Sequence, residues 1–418
     1  MYPNPQDAVP LPPRPDLGQY RKRAKELARA ARIGGDAIGA WAAGWVEALL
    51  SLQPRLPEFA RQDAGRRIGQ VADFARGRLG ADGSLAQAQF VIARAHGFAS
   101  WTRLLHHIEG LAGADRNLSA YERAADAIVD GDIAALERLL KEQPGLVRER
   151  STRDHNATLL HYVSANGVES YRQKTPPNVL AVARALLDAG AEVDAEADVY
   201  GGGATTLALA VTSSHPRAAG LQIALADLLL ERGAPMDPDI VRYCLVNGCP
   251  EAAAHMAARG APVGLEGAAG IGRVDLLAAH FEPGGAVSAT EAAAALVMAA
   301  WYDQREAVAF LLDHGVDPGA RRAHDGNTAL HVASYSGYPA LVELLLARGA
   351  PVDVNDAVYG TPPLVWALHA WLAEGRRNAG DYRAIVRRLV AAGAQMKPEW
   401  LERVRGDAEL YAQLSRRP

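Results

Sequence analysis

Five side chains in two short stretches could do chemistry together: His155, Glu169, Tyr171, Arg172 and His215. An imidazole, a carboxylate and a phenol can pass a proton, and a guanidinium can clamp an anion. That toolkit suits acid–base work on an anionic substrate. Their spacing, however, defines no reaction. No Ser or Cys stands in a G-x-S-x-G turn. His96, His106 and His107 lack the H-E-x-x-H spacing of a zinc site. Cys244 and Cys249 sit in a C-x4-C spacing with no His or Cys partner nearby, which predicts no metal centre. The glycines of YGGGATTL (200–207) are not followed by Lys-Ser or Lys-Thr, so they predict a loop tip rather than a phosphate cradle. No catalytic residue, metal ligand or cofactor is assigned.

The totals narrow the classes. The chain has 418 residues, of which 49% are hydrophobic and 22% charged, so it can bury a large core. Aromatics are only 6%, which favours close-packed small helices over an aromatic-rich β core. The formal net charge of −4 does not suggest nucleic acid as a partner. The basic run RKRAK (21–25) carries Glu26 behind it and reads as a solvated helix face. Two cysteines cannot form a disulfide framework, so a reduced compartment is expected. The proline-rich start, residues 1–15, has no signal-peptide pattern and is expected to be an extended mobile tail. No apolar run is long enough for a membrane span. A cytoplasmic monomer with no membrane association is the expectation.

The elements that would position these residues follow a repeat. In HDGNTALHVASYSGYPALVELLLARGAPVDVND (324–356), Thr-x-Leu-His starts a short helix and Gly337 turns it. ALVELLLA forms a second helix with Leu341, Leu344 and Leu345 on one face, and Gly349 caps it. An extended finger leads to the next unit. Gly326 recurs as Gly360 and Leu330 answers Leu296, both 34 residues apart. This unit closely resembles the ankyrin repeat family. Seven further units of varying fidelity run from residue 116 to 396, the two middle ones short and without a good finger. The expected fold is all-α: an ankyrin-repeat solenoid of about eight helix–turn–helix units. An α-helical N-terminal module at 16–115 precedes it, and a capping helix at 397–418 follows it. QFVIARAHGFASWTRLLHHIE resembles segments that precede ankyrin arrays in bacterial proteins, and Ser100 is its predicted N-cap.

Three units depart from the repeat. Gly337 and Gly349 are 12 residues apart, whereas Gly167 and Gly190 are 23 apart, Ser214 and Gly233 19, and Trp371 and Gly393 22. The insertions fall at 168–178, 214–222 and 372–382, and insertions in repeat proteins gather on one face. The first two lie on adjacent repeats and are expected side by side, presenting Glu169, Tyr171, Arg172, Gln173, Asn178 and His215.

The resemblance also implies a register in which residues before the turn and at the finger line a concave face. Transferred here, that stripe comprises Asp154, His155, Asn166, Trp301, Tyr302, His324, Asp325, Asn327, Tyr335, Tyr359 and His369, with small residues between. The family works mainly by protein–protein recognition. The expected function is therefore a non-catalytic scaffold that holds a protein or peptide partner on this face and its loops. The alternative is a small-molecule binder or cofactor-independent enzyme using the adjacent loops of the second and third repeats.

Overall fold

The computed structural model describes residues 3–12, 14–52, 63–80, 82–114, 116–282, 287–376 and 380–415. They are overwhelmingly helical, and the only strands among them form a two-stranded antiparallel hairpin. The chain divides into two compact units, residues 1–236 and 237–418.

The first unit opens with helices Leu17–Ile33, Ala37–Ser51, Ala64–Arg78, Leu85–Ala95 and Trp101–Glu109. Leu27, Trp45, Ile92 and Phe98 are buried among them in one core. Local chemistry starts these helices where the sequence indicates. The Asp16 carboxylate accepts from the amide of Gln19, and the Ser100 hydroxyl from that of Arg103, each covering an orphan donor of a first turn. The N-terminal stretch differs from the expected free tail. Pro5–Asp7 form a 3-10 turn, and Ala8 and Val9 are buried. The Val9 amide donates to the Ala95 carbonyl at 2.7 Å, and Val9's own carbonyl lies 2.7 Å from His96 Nδ1.

Three helix pairs follow in this unit: Arg116–Asp130 with Ile133–Glu142, Leu159–Ser164 with Val179–Asp188, and Thr206–Val211 with Gln222–Glu231. The first members pack against one another in order, as do the second members. A single pair exposes one apolar face, and stacking covers it. Leu159–Ser164 is a 3-10 rather than an α-helix, opened by a capping box of Thr158 and His161. The hairpin pairs Glu196–Ala197 with Ala204–Thr205 around the glycine-rich tip.

Among its described residues the second unit holds five pairs: Ile240–Val246 with Pro250–Ala258, Leu265–Gly270 with Val274–His280, Ala289–Trp301 with Arg305–Asp313, Ala329–Ser336 with Pro339–Ala347, and Pro363–Leu368 with Tyr382–Ala391. One core of alanine, leucine and valine runs through the last four. Thr328 and His331 repeat the capping box, and His331 Nε2 reaches the Thr361 carbonyl of the next unit at 3.1 Å. Gly337 ends the first helix of its pair in the left-handed region, at φ +81°. The end of the chain differs from the single expected helix: Pro398–Arg403 and Ala408–Ser415 are separate.

The insertions take three forms. The first contains a 3-10 turn, Ser170–Arg172, and the second a short helix, Ser214–Ala218. In the third, helix Pro363–Leu368 runs on through a π turn, His369–Ala373, and residues 377–379 lie outside the described residues.

Candidate functional site

A groove of about 650 Å³ opens on the second unit. The first helices and finger tips of three successive repeats line it. Trp301, Asp325, Asn327, Tyr335, Tyr359 and His369, all in the sequence-derived stripe, come together there. Their rings form a row. Trp301 meets Tyr335 edge-on at 6.1 Å, Tyr335 meets Trp366 at 5.7 Å, and Trp366 meets Tyr359 at 6.4 Å. Val358 and Tyr359 stand at the rim, 60% and 74% exposed.

Polar groups fix the walls. Arg322 pairs with the Asp325 carboxylate, which also accepts from the Asn327 amide at 3.2 Å and from its Nδ2 at 2.9 Å. Burial pushes Asp325 up, but Arg322 and the Asn327 amide outweigh it and hold the group below the usual carboxylate range. Asn327 Oδ1 is left buried without a hydrogen-bond partner. Asp356 organises the finger tip by accepting from the amides of Val358, Tyr359 and Thr361, and from Trp366 Nε1 at 3.2 Å. The Tyr335 hydroxyl donates to Glu374, and His369 Nε2 lies 3.3 Å from the same carboxylate.

Within the second unit, two members of the stripe stand apart from this groove. The Tyr302 hydroxyl donates to the Leu245 carbonyl and braces two repeats. His324 is exposed, 3.4 Å from Asp325 Oδ2. The groove also enlists Trp366, Arg322 and Glu374, which the register did not indicate. Trp366 had a readable signal: it falls 34 residues after Val332, a core position in the clearest unit, where an indole is too large to disappear.

In the first unit, the residues expected on insertion loops turn inward. Glu169, Arg172 and Gln173 are buried, Tyr171 is half-buried and Asn178 is exposed. The first insertion packs on helix Arg116–Asp130 and the N-terminal module. Arg172 Nη2 lies 2.8 Å from Glu122 and 2.9 Å from Asp126, and Arg67 Nη2 donates to the Ser170 hydroxyl at 2.7 Å. Asn178 Nδ2 donates to the Gly131 carbonyl, and Gln173 Nε2 to the Val168 carbonyl. Arg153 completes a buried ionic cluster, 2.7 Å from Glu122 and 2.8 Å from Glu169, with its other arm toward the Tyr171 hydroxyl at 3.3 Å. Burial would raise both carboxyls. Arg153 and Arg172 together reverse that, holding Glu122 at about 2 and Glu169 well below its ordinary value.

A second cavity, of about 530 Å³, lies beside this cluster and is lined in part by Asp154, His155 and Glu169. Its other walls are the Pro3–Ala8 stretch, Arg94, and the 198–202 tip, so the first insertion contributes Glu169 while the second, at 214–222, lines none of it. His215 does not line it; it is half-buried, and burial lowers its pKa. Asn166 is a brace, donating to the Leu209 carbonyl and to Thr212, and accepting from the Tyr200 hydroxyl. Burial pushes the Cys244 thiol up to about 12, which removes it as a nucleophile at neutral pH.

A family model described as ankyrin repeats, three copies, matches residues 254–357 and again 296–398. Over 67 residues, 16% of this chain, there is 45% identity to Protein PhlB of Serratia liquefaciens. Over 81 residues, 19% of the chain, there is 36% identity to the inactive serine/threonine-protein kinase TEX14 of Mus musculus. The chain spans 29% of the first relative's length and 5% of the second's. Every residue lining the aromatic groove falls inside the matched region, and residues 254–398 are a stack of ankyrin repeats.

Proposed function

We propose that this chain is a recognition scaffold whose ankyrin repeats seat a protein segment in the groove between Trp301 and Glu374. Ankyrin repeats generally serve protein–protein interaction, and the shape and lining of the groove support that reading here. The aromatic row carries the proposal. Four rings from three repeats face one concavity while Val358 and Tyr359 stay in solvent, a pattern that the packing of the repeat does not require. Aromatic side chains concentrate binding energy where water is expelled. Their frames are fixed before any partner arrives, so little conformational entropy is lost on binding.

The chemistry of the walls suits an extended peptide segment. An apolar side chain would lie against Trp301, Tyr335 and Trp366. A backbone N–H would satisfy Asn327 Oδ1, which has no donor of its own. Hydrogen exchange, with and without a bound display-selected peptide, tests the placement. Exchange slowed in 325–327 and 357–361 supports it, and protection confined to other repeats sinks it.

A further inference from the structure

The cavity in the first unit has a wall that its own residues leave incomplete. Glu169 is 1% exposed and His155 4%, yet Glu169 Oε2 and His155 Nε2 have no hydrogen-bond partner. Both residues line the cavity. The tautomer follows from the backbone: His155 Nδ1 accepts from the Ala157 amide at 3.1 Å, so the proton of the neutral ring is on Nε2. The wall therefore offers one buried donor and one buried acceptor. They do not satisfy each other, because Nε2 is 3.6 Å from the nearer carboxylate oxygen. Leaving both groups dry costs about 1–3 kcal/mol apiece.

The charges nearest them are already matched, and Asp198, exposed on the tip, is the lining carboxylate outside these pairs. Arg153 pairs with Glu122 and Glu169, and Arg94 with Asp154. A charged ligand seated on Glu169 and His155 would have to break one of these pairs. A neutral hydroxyl group needs no such exchange, since its oxygen accepts from imidazole while its proton goes to carboxylate. At the mouth stands Tyr200, 56% exposed, on a backbone with φ +52° that a tyrosine rarely adopts. Its hydroxyl is tied to Asn166 Oδ1 at 2.8 Å, which holds the ring in place for the apolar face of a cyclic ligand. The volume of about 530 Å³ is that of a small-molecule site rather than of one water.

We propose that this cavity binds a neutral polyhydroxylated small molecule, a monosaccharide or cyclic polyol, through a hydroxyl shared by Glu169 and His155. The site lies in the other unit from the peptide groove and stands or falls independently of it. The test is isothermal titration of the full chain with D-glucose, D-ribose and myo-inositol, with inorganic phosphate and putrescine as charged controls. The variants are Glu169→Gln and Tyr200→Gly. The second removes the ring and relieves a strained backbone, so it keeps the fold where Glu169→Gln disturbs the ionic cluster. The expected result is saturable binding of at least one neutral probe, weakened about tenfold or more in Tyr200→Gly, with folding of that variant unchanged. Absence of binding by all three neutral probes up to roughly 10 mM would mean that water alone fills the cavity, and overturns the proposal. So does tighter binding of phosphate or putrescine, or an unchanged affinity in Tyr200→Gly.

Discussion

The rings of Trp301 and Tyr335 meet edge-on, 6.1 Å apart at 80°, from positions 34 residues apart in the chain. That separation is one repeat, so the two rings hold the same place in successive units, and His369 holds it in the next. Tyr335 is fixed from both ends. Its hydroxyl donates to Glu374, and its backbone carbonyl accepts from the Tyr382 hydroxyl at 2.8 Å. Arg376 lies over its face at 4.8 Å. A groove built this way is set by contacts within the repeats themselves.

The rim and the floor of the groove separate stability from recognition. Tyr359→Ala removes a 74% exposed ring and should change unfolding free energy by no more than about 0.5 kcal/mol. Trp301→Ala removes a half-buried indole that packs on the core, and should cost about 1–3 kcal/mol. Urea denaturation of the two variants side by side checks the contrast.

Two left-handed glycines of one repeat should respond unequally to alanine. At Gly349, φ +84°, an added Cβ meets open space, so only the backbone cost of about 1–2 kcal/mol applies. At Gly337, φ +81°, the Cβ would sit 2.9 Å from the Gly380 Cα and 3.2 Å from the Tyr382 ring. Gly337→Ala should therefore lose at least about 1 kcal/mol more than Gly349→Ala, read from denaturant midpoints.

The buried ionic cluster makes Arg153 the most sensitive charge in the first unit. Arg153→Met leaves Glu122 and Glu169 facing only Arg172, and should destabilise by about 3–5 kcal/mol. Lysine should rescue little, because one ammonium cannot replace a fork that contacts Glu122, Glu169 and Tyr171 at once. Adding Glu169→Gln to Arg153→Met should recover part of the loss. Additive losses in this double-mutant cycle would contradict the coupling.

Stability should fall with acid in two overlapping stages. Burial lowers His96 and His161 to about 4 and His107 to about 3, from an ordinary value of 6.5. Between those values the unfolded chain binds protons that the folded chain refuses, so stability declines as pH drops below about 6.5. Glu122 is held at about 2 against an ordinary 4.5, so its contribution is complete above 4.5 and is lost as pH falls toward 2. Urea midpoints measured from pH 8 to pH 3 should be flat down to about 6.5 and then descend. A flat profile through pH 4 would contradict the burial of these imidazoles.

What could be read in advance was local or periodic. The capping boxes at Thr158–His161 and Thr328–His331 need only four residues of sequence, and the groove positions Trp301, Tyr335 and His369 share one register. The length of the first insertion was legible, but its destination was not. Arg172–Asp126 and Arg67–Ser170, separated by 46 and 103 residues, turn it inward, and no local rule pairs them. The same holds for the proline-rich start, pinned where His96 meets a carbonyl 87 residues earlier. Trp366 occupies a core register, and only the Asp356 contact reveals why its indole stays at the groove.

The central claim is that the aromatic groove of residues 254–398 is a peptide-binding surface. The most direct measurement is the affinity, by fluorescence anisotropy, of a peptide selected from a random display library on the full chain. It is taken for the native sequence and for a Val358→Ser/Tyr359→Ser variant. Both substitutions lie at exposed positions and leave the core untouched. The groove account predicts at least about a tenfold loss of affinity in the variant with an unchanged unfolding midpoint. Equal affinity for the two proteins would contradict it and place recognition elsewhere on the chain.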